Sequence, residues 1–495
     1  MFPIIPKPRN IELKDGEGRL TRDDSGGANY EYVYDPDIPY EGYSLKTEGT
    51  HTVLRASSEA GAFYGETTLN VLDDMTGGAP GAFFVSDSPA YGYRAYMLDV
   101  ARYFFDTDVV MKHIDYMALL KLNVLHLHLT DDQGWRVEIK KYPRLTEVGS
   151  HRRRTHIRFK AHGGYYTQEE LKKIVAYAHA RHIKVVPEID FPGHFQAAIA
   201  AYPELGCCGE GLRVAENFGV KFDVACIGNP AVIEFMKDVL SELIPIFTDE
   251  YFHIGGDEVP FRRWEKCPKC LALKKSLGAD SWHRVQAHVV NELADFLAEH
   301  GKTTITWNES EPTGVQNKNI VWQYWQGGLS EEKFAHEINE GRRVIMSPGE
   351  PFYLDLPYSI NNVARMRAYK LVPDGVTAAE NIIGVEFPLW TELVPDEKQA
   401  DKMLFPRLMA GAEIAWRGSP DTDIEERFGR YLAVLKRMGA KISAFKKEPR
   451  GFMKILDRIW WFRRQLYWGA VPNLIRNIKV DKILKKRNGQ LKSDY

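Results

Sequence analysis

Two acidic residues, Asp257 and Glu258, stand side by side directly after a short apolar segment and two glycines. Neighbouring side chains on a strand point to opposite faces, so such a pair shares one pocket only where the strand gives way to a loop. Gly255 and Gly256 permit that bend, or the close approach of a ligand, because they carry no side chain. Two carboxyl groups in one enclosed site oppose each other's ionisation, which pushes one toward the protonated form. A proton donor beside an anion is the chemistry needed to cleave an acetal; a solvated loop with two acids is the alternative.

Strands that alternate with helices are needed to position this pair. From about residue 94 onward, apolar segments alternate with amphipathic helical segments, a pattern typical of parallel βα units. Eight segments are predicted to be strands: 95–100, 123–129, 183–190, 251–256, 303–307, 319–324, 342–347 and 382–387. Thr167 and Glu170 form a capping box that opens a helix predicted to run to His182. The pattern predicts an α/β fold with a (β/α)₈ TIM barrel.

In a barrel of this kind the active site lies at the C-terminal ends of the strands. The sequence places acidic residues at or just beyond the predicted strand ends, namely Asp131, Asp190, Asp257, Glu258, Glu309 and Glu392. The barrel is predicted to cover residues 91–440 and to be the catalytic domain. Residues 1–90, with short alternating segments and one helical stretch, are predicted to form a small α+β accessory domain.

The segment 441–495 has a different composition, with fifteen Lys or Arg residues against four Asp or Glu. Aromatic residues are interleaved with these charges, and the segment is predicted to be a basic helical tail. We expect its helices to pack on the barrel with their basic side chains extended along the surface. A homodimer interface, or a surface for an anionic partner, is the alternative.

The overall composition limits the function classes. The 495 residues are 44% hydrophobic and carry a net charge of −2, so nothing global favours nucleic acid. No apolar run is long enough to span a membrane, and no signal peptide is visible. Five cysteines are an odd and sparse set, which favours a reducing cytoplasm.

Six motifs, in this order along the chain, resemble glycoside hydrolase family 20, the β-N-acetylhexosaminidases. They are the segments 93–102, 126–136 and 187–194, the acidic pair, and the segments 353–355 and 390–392. The resemblance covers roughly residues 1–440 and leaves the basic tail outside. It implies an exo-acting, retaining enzyme that releases terminal N-acetylglucosamine or N-acetylgalactosamine from a glycan and needs no cofactor and no metal.

In this family the sugar's own 2-acetamido oxygen attacks the anomeric carbon and forms an oxazolinium intermediate. The resemblance implies that Glu258 protonates the leaving oxygen and then activates water. Asp257 is implied to hold the acetamido N–H and to stabilise the positive charge that develops there. These roles agree with one neutral and one ionised carboxyl group. Asp190 and His194 match an acid–histidine pair that supports the two catalytic carboxyls.

An acetamido group must be held tightly for its oxygen to reach the anomeric carbon, and large flat side chains do this at low entropic cost. By resemblance, Trp307, Trp325 and Trp390 form this box, and the hydroxyl of Tyr353 donates to the acetamido oxygen. Packing in the core is the alternative for any single tryptophan.

The resemblance also implies polar contacts with the sugar hydroxyls. Arg102 and Glu392 match the residues that grip the 3- and 4-hydroxyls, where charged partners form strong hydrogen bonds. Glu392 is expected to be the residue that pairs Arg102, so that its removal leaves the arginine unpaired. Asp131 matches a further acid near that edge, and Asp355 matches one near the outer hydroxyls.

Two alternatives of other classes remain open from the sequence. His126 and His128 lie on one face of a strand, as in metal-dependent hydrolases of the same fold, and Asp190, His194 and His253 would have to complete the ligand set. A non-catalytic carbohydrate-binding relative is the other alternative, although the intact acidic pair argues against it.

The cysteines allow three interpretations. Cys267 and Cys270 form a Cys-x-x-Cys motif which, with two of Cys207, Cys208 and Cys226, could hold zinc. By resemblance, Cys207 or Cys208 could form a disulfide bridge with Cys226, at a position where some relatives have one. Reduced thiols are the third interpretation, and they agree with a cytoplasmic protein.

Overall fold

The computed structural model describes residues 2–466, apart from gaps at 25, 156, 210–211, 218, 311–313, 328, 420, 443 and 446–447, together with residues 471 and 474. The rest of the predicted tail beyond residue 466 lies outside the described residues.

The N-terminal part is a five-stranded sheet covered by one helix. Its strands are β1 (Asn10–Leu13), β2 (Glu31–Tyr34), β3 (Tyr43–Glu48), β4 (His51–Ala56) and β5 (Phe83–Asp87), in the order β1-β5-β3-β4-β2. Helix α1 (Glu59–Thr76) begins where the Ser58 side chain accepts the Gly61 N–H, and it ends at Gly77 in the left-handed conformation. The predicted accessory strands and helix are present, while the domain boundaries at residues 90 and 440 stay predictions.

Within the described residues, eight parallel strands close into a barrel. They are β6 (Tyr93–Asp99), β7 (Val124–His128), β8 (Lys184–Glu188), β9 (Tyr251–His253), β10 (Thr303–Trp307), β11 (Val321–Tyr324), β12 (Val344–Met346) and β13 (Ile382–Leu389). Strand β13 pairs with β6 and completes the closure. All eight predicted strands and the predicted (β/α)₈ barrel are confirmed.

Helices surround the barrel. They are α2 (Thr107–Leu119), α3 (Arg144–Glu147), α4 (Gln168–His179), α5 (Gln196–Ala201), α6 (Pro230–Leu243), α7 (Pro268–Ser276), α8 (Trp282–Glu299), α9 (Glu331–Asn339), α10 (Gly349–Phe352), α11 (Val363–Ala368), α12 (Glu397–Leu404), α13 (Arg407–Arg417) and α14 (Ile424–Arg437). The predicted capping box of Thr167 and Glu170 opens α4. That helix ends three residues earlier than predicted, and His182 itself has a φ of 55°, which an α-helix cannot continue through.

The barrel interior changes from apolar to charged along its axis. The lower part, nearer the N-terminal ends of the strands, is filled by apolar side chains: Tyr93, Ala95, Val124, Val186, Ile305, Val321 and Ile345. Nearer the C-terminal ends, the inward side chains are polar and buried, namely His126, Glu188, His253, Gln323 and Glu386. The apolar layer closes the barrel against water, so the charges above it need partners within the protein.

Helix α15 (Phe452–Gln465) is the described part of the predicted basic tail. Arg458 donates to the Ser359 carbonyl at 3.0 Å, which places the helix against the barrel. Trp460 and Phe462 are nevertheless 59% and 63% exposed. A homodimer through this segment stays a prediction. In the part of the chain that the structure describes, no helix is long and apolar enough to cross a membrane.

A buried ion pair joins the N-terminal domain to the first barrel strand. The guanidinium of Arg94, on β6, donates to both carboxylate oxygens of Glu41, at 2.7 and 2.8 Å, and to the Tyr64 hydroxyl at 3.1 Å. Arg94 is fully buried. Burial opposes the charge of Glu41, but the hydrogen bond and the charge of Arg94 lower the pKa of that carboxyl.

We expect Glu41→Gln to lower the free energy of unfolding by about 3 kcal/mol, because the buried charge of Arg94 loses its counter-charge. Thermal and urea unfolding of the two proteins measure this. The control is Glu48→Gln, since Glu48 pairs with Lys46 at the surface, where their side chains are 54% and 48% exposed. Equal, small effects of both substitutions would contradict a stabilising role for the Glu41–Arg94 pair.

Candidate active site

A cavity of about 170 Å³ opens at the C-terminal ends of the barrel strands. It is lined by Arg102, His194, Asp257, Glu258, Trp325, Tyr353, Asp355, Trp390, Glu392 and Leu393. Nine of these ten described residues are among the candidate site residues predicted from the sequence. Leu393 is not among those candidates. They come from loops after different strands, so the closed barrel is what brings them together.

The backbone at the acidic pair bends as the two glycines predict. Gly255 and Gly256 have φ values of 69° and 105°, and Glu258 itself has a φ of 48°. A Cβ atom at Gly255 would lie 1.7 Å from the Asp190 carboxylate, so only glycine fits beside that acid. Glu258 is held in its uncommon conformation by its N–H, which donates to Glu309 at 2.8 Å.

The two carboxyl groups occupy different environments. The side chain of Asp257 is 11% exposed and that of Glu258 is 37% exposed. Burial raises the pKa of Asp257 to about 7; the charge of His194 opposes this shift and that of Glu258 adds to it. The raised pKa therefore falls on Asp257, the residue expected from the sequence to be the anion.

His194 connects the acidic pair to a buried carboxylate. Its Nδ1 lies 3.2 Å from Asp131, and its Nε2 lies 3.6 Å from Asp257 and 3.5 Å from Glu258. Burial would lower the pKa of His194, but the charges of Asp131 and Asp257 hold it well above its usual range. The hydrogen-bonded partner of His194 is thus Asp131, while Asp190, His194 and Asp257 have side-chain atoms within 4.8 Å of one another. Burial, together with the neighbouring charge of Asp257, raises the pKa of Asp190 well above its usual range.

Arg102 is paired with three carboxylates. Its guanidinium lies 2.6 Å from Asp131, 3.2 Å from Asp99 and 3.8 Å from Glu392, and it stacks 4.8 Å above the ring of Trp390. The expectation that loss of Glu392 leaves Arg102 unpaired is therefore wrong, because the two shorter pairs remain. Asp131 is 1% exposed and is not among the residues that line the cavity, so it holds Arg102 from within the protein.

Aromatic rings form one wall of the cavity. The rings of Trp325 and Tyr353 are nearly parallel, at 11° with centroids 6.2 Å apart, and Trp390 lies 6.0 Å from Tyr353. Trp307 is buried behind Trp390 at 5.7 Å, and its N–H donates to Glu188 at 2.8 Å. Two of the three predicted tryptophans thus line the cavity, whereas Trp307 supports the wall from within the barrel.

The end of the cavity formed by Asp355 and Glu392 is acidic. Burial and the neighbouring charge of Glu392 raise the pKa of Asp355 to about 8. Burial also raises the pKa of Glu392, although the charge of Arg102 opposes this. Hydroxyl-bearing ligands can therefore meet both donors and acceptors here.

Glu188 is a central residue that the sequence reasoning missed as a site residue. It lies 3.1 Å from both His126 and His253, accepts the Trp307 N–H and contacts His128. Burial would raise the pKa of Glu188, but the charges and hydrogen bonds of these histidines hold it well below its usual range. The available signal was an acid within an apolar strand, since a buried charge requires partners.

The same contacts argue against the metal-dependent alternative. His126 and His128 both face Glu188, and His126 also lies 3.0 Å from Glu386. Neither histidine lines the cavity. Their contacts explain them as partners of buried carboxylates.

A wider depression of about 500 Å³ adjoins the cavity on the other side of Glu258. We call it the outer groove; it is lined by Val220, Phe222, Gly256, Glu258, Val259, Pro260, Phe261, His283, Gln286 and Glu309. Glu258 thus lines both the cavity and the outer groove, and its carboxyl group lies where the two meet.

Comparison with known proteins connects this geometry to a family. The catalytic-domain model of glycosyl hydrolase family 20 matches residues 91–419. A β-hexosaminidase of Porphyromonas gingivalis is 38% identical over 437 residues, which cover 82% of this chain and 54% of that protein. The chain thus spans about half the length of this relative. A β-hexosaminidase of Akkermansia muciniphila is 33% identical over 461 residues, with 88% and 91% covered.

Comparison with solved structures leads to the same family. An exo-β-N-acetylglucosaminidase from Vibrio harveyi, in complex with N-acetylglucosamine, superposes with a TM-score of 0.78 at 28% identity, covering 90% of this chain and 79% of that one. A β-hexosaminidase from Streptomyces plicatus gives a TM-score of 0.75 at 31% identity, with 90% and 97% covered.

The raised pKa of Asp257 predicts a pH-dependent effect of Asp257→Asn on stability. The folded chain binds the Asp257 proton more tightly than the unfolded chain, so wild-type stability is lost as pH rises from 3.8 to about 7. Asparagine has no such proton to lose. The variant should therefore match the wild type near pH 4 and be more stable above pH 7, by on the order of 2 kcal/mol.

Melting temperatures measured from pH 4 to 8 test this expectation. Glu258→Gln is the control, because the Glu258 side chain is 37% exposed and little burial is relieved. A stability difference for Asp257→Asn that does not change with pH would contradict the assignment.

Proposed function

Because the chain belongs to glycosyl hydrolase family 20 and is a glycoside hydrolase, we propose that it is an exo-acting, retaining β-N-acetylhexosaminidase. Its substrate would be a glycan that ends in N-acetylglucosamine or N-acetylgalactosamine. The observation that carries the proposal is a single small cavity that combines the adjacent acids Asp257 and Glu258 with a wall formed by Trp325, Tyr353 and Trp390.

The size of the cavity supports removal of one sugar at a time. Its volume of about 170 Å³ is below the roughly 300–1,000 Å³ of pockets that enclose drug-sized ligands. In this proposal the 3-, 4- and outer hydroxyls of the sugar are bound at the end of the cavity that lies away from the outer groove. The residues that bind them there are Arg102, Asp355 and Glu392. The relative from Vibrio harveyi is itself named an exo-acting enzyme.

The proposed reaction uses the substrate's 2-acetamido group as the nucleophile. Its oxygen attacks the anomeric carbon, the bond to the leaving oxygen breaks, and Glu258 gives that oxygen a proton. Glu258 suits this role because it borders both the cavity and the outer groove, where the leaving group would lie. The same carboxylate then takes a proton from water, which opens the oxazolinium ring and restores the original anomeric configuration.

Asp257 would hold the acetamido N–H and balance the positive charge of the oxazolinium ring. With a pKa of about 7, part of Asp257 is protonated at neutral pH before a ligand binds. The developing positive charge favours its ionised form, so the interaction is stronger in the transition state than in the free site.

Turnover of chromogenic β-glycosides tests the chemistry. The N-acetylglucosaminide should be hydrolysed, and the matching glucoside, which lacks the acetamido group, should not. Glu258→Gln should lower kcat by about 10²–10⁴-fold for a poorly acidic leaving group, because nothing protonates the departing oxygen. With a very acidic leaving group the loss should be much smaller, whereas Asp257→Asn should impair both substrates. Equal losses on the two substrates for Glu258→Gln would remove it from the role of general acid.

The direction of cleavage is a separate prediction. A chitooligosaccharide labelled at its reducing end should lose single sugars from the non-reducing end, because the acidic end of the cavity leaves no room for a further sugar. Chromatography of the earliest products measures this. Early internal fragments or released disaccharide would show an open cleft, while the acetamido-dependent chemistry would still stand.

A further inference from the structure

Four of the five cysteines converge outside the cavity, although they are spread over 64 residues of sequence. The sulfur atoms of Cys226 and Cys267 are 3.6 Å apart, and Cys270 lies 3.8 Å from both Cys207 and Cys226. All four sulfurs lie within 4.8 Å of one another. Three of these residues are buried and Cys207 is half-buried.

The spacing of the sulfurs fits a metal ion. A zinc ion about 2.3 Å from four tetrahedrally arranged sulfurs holds them about 3.8 Å apart. Sulfurs joined in a disulfide are about 2.0 Å apart, and two separate bridges would not require all four to be mutually close. We propose that Cys207, Cys226, Cys267 and Cys270 bind one zinc ion as four thiolates.

The local structure favours thiolates at this position. Cys267 precedes helix α7, Pro268 occupies its first turn, and Cys270 follows within that turn. The N-terminus of a helix stabilises negative charge.

Binding involves no redox change. Zinc enters as a divalent ion, four S–H groups lose their protons to solvent, and four sulfur–zinc bonds form. Four protein ligands complete the tetrahedron and leave no position for water or substrate, so the ion is structural. It adds no step to the sugar chemistry.

The site would fasten two loops that reach the active site. Cys207 and Cys226 belong to the loop region after β8, which also carries His194, and Cys267 and Cys270 follow the Asp257–Glu258 segment. The two regions are already linked by Arg263, which lies 2.9 Å from Asp223, and by Trp264, whose N–H donates to the Ala225 carbonyl at 2.8 Å. A four-thiolate zinc site adds a further crosslink between these two regions.

Cys208 provides a matched control. It is adjacent to Cys207 and is buried, but its sulfur lies 3.5 Å from the Asp223 carboxylate and is outside the four-cysteine cluster. Cys208→Ser therefore changes the same atom type in the same loop without removing a proposed ligand.

The test measures zinc in the full chain, purified without chelator, by elemental analysis. We expect one zinc per chain in the wild type and in Cys208→Ser, and less than a tenth of that in Cys226→Ser. The melting temperature of Cys226→Ser should fall by roughly 5–10 °C, since the metal stabilises only the folded state. Should Cys226→Ser fail to fold, titration of the wild type with an organomercurial should still release one zinc as four thiols are blocked.

Three outcomes would overturn the proposal. Five thiols that react freely in a protein without zinc would show reduced, metal-free cysteines. A single reactive thiol after denaturation without reductant would show two disulfides. One zinc per chain that persists in Cys226→Ser would place the metal elsewhere in the protein.

Discussion

The pairing of charges buried in the upper half of the barrel is the constraint on which the rest of the structure depends. A charge removed from water is costly unless an opposite charge and hydrogen bonds replace the solvent. Glu188 meets this requirement through His126, His128 and His253, and His126 extends the network to Glu386. The apolar layer below these groups closes the barrel against water. Because solvent cannot replace their partners, the groups fix one another's positions.

The same network reaches the cavity through His128, which lies 2.9 Å from Asp131, and continues as a chain of alternating charge. Arg102 binds Asp131, Asp131 binds His194, and His194 faces the acidic pair. The proposed sugar-binding arginine and the two acids are thus positioned by one set of buried contacts. Such a network is rigid because moving one member leaves its neighbours without partners.

The loops that carry the acidic pair and His194 are secured in a different way. The acidic pair bends through two glycines, and Glu258 and His194 both adopt a φ of 48°. Conformations of this kind persist only where surrounding contacts hold them. For Glu258 the contact is the hydrogen bond from its N–H to the Glu309 carboxylate.

The sequence by itself determined the eight strands, the capping box of α4 and the bend at the acidic pair, because periodicity, caps and glycine conformations are local properties. By resemblance it also identified nine of the ten described cavity residues. Only the tertiary structure decided that the raised pKa belongs to Asp257, since burial and through-space charges depend on neighbours distant in sequence. It likewise decided that Asp131, and not Glu392, lies closest to Arg102, and that Trp307 stands behind the wall because its N–H is committed to Glu188. The tertiary structure also decided that Cys207, and not Cys208, groups with three distant cysteines. Adjacent side chains point in different directions, so only the fold determines which of the two faces the cluster.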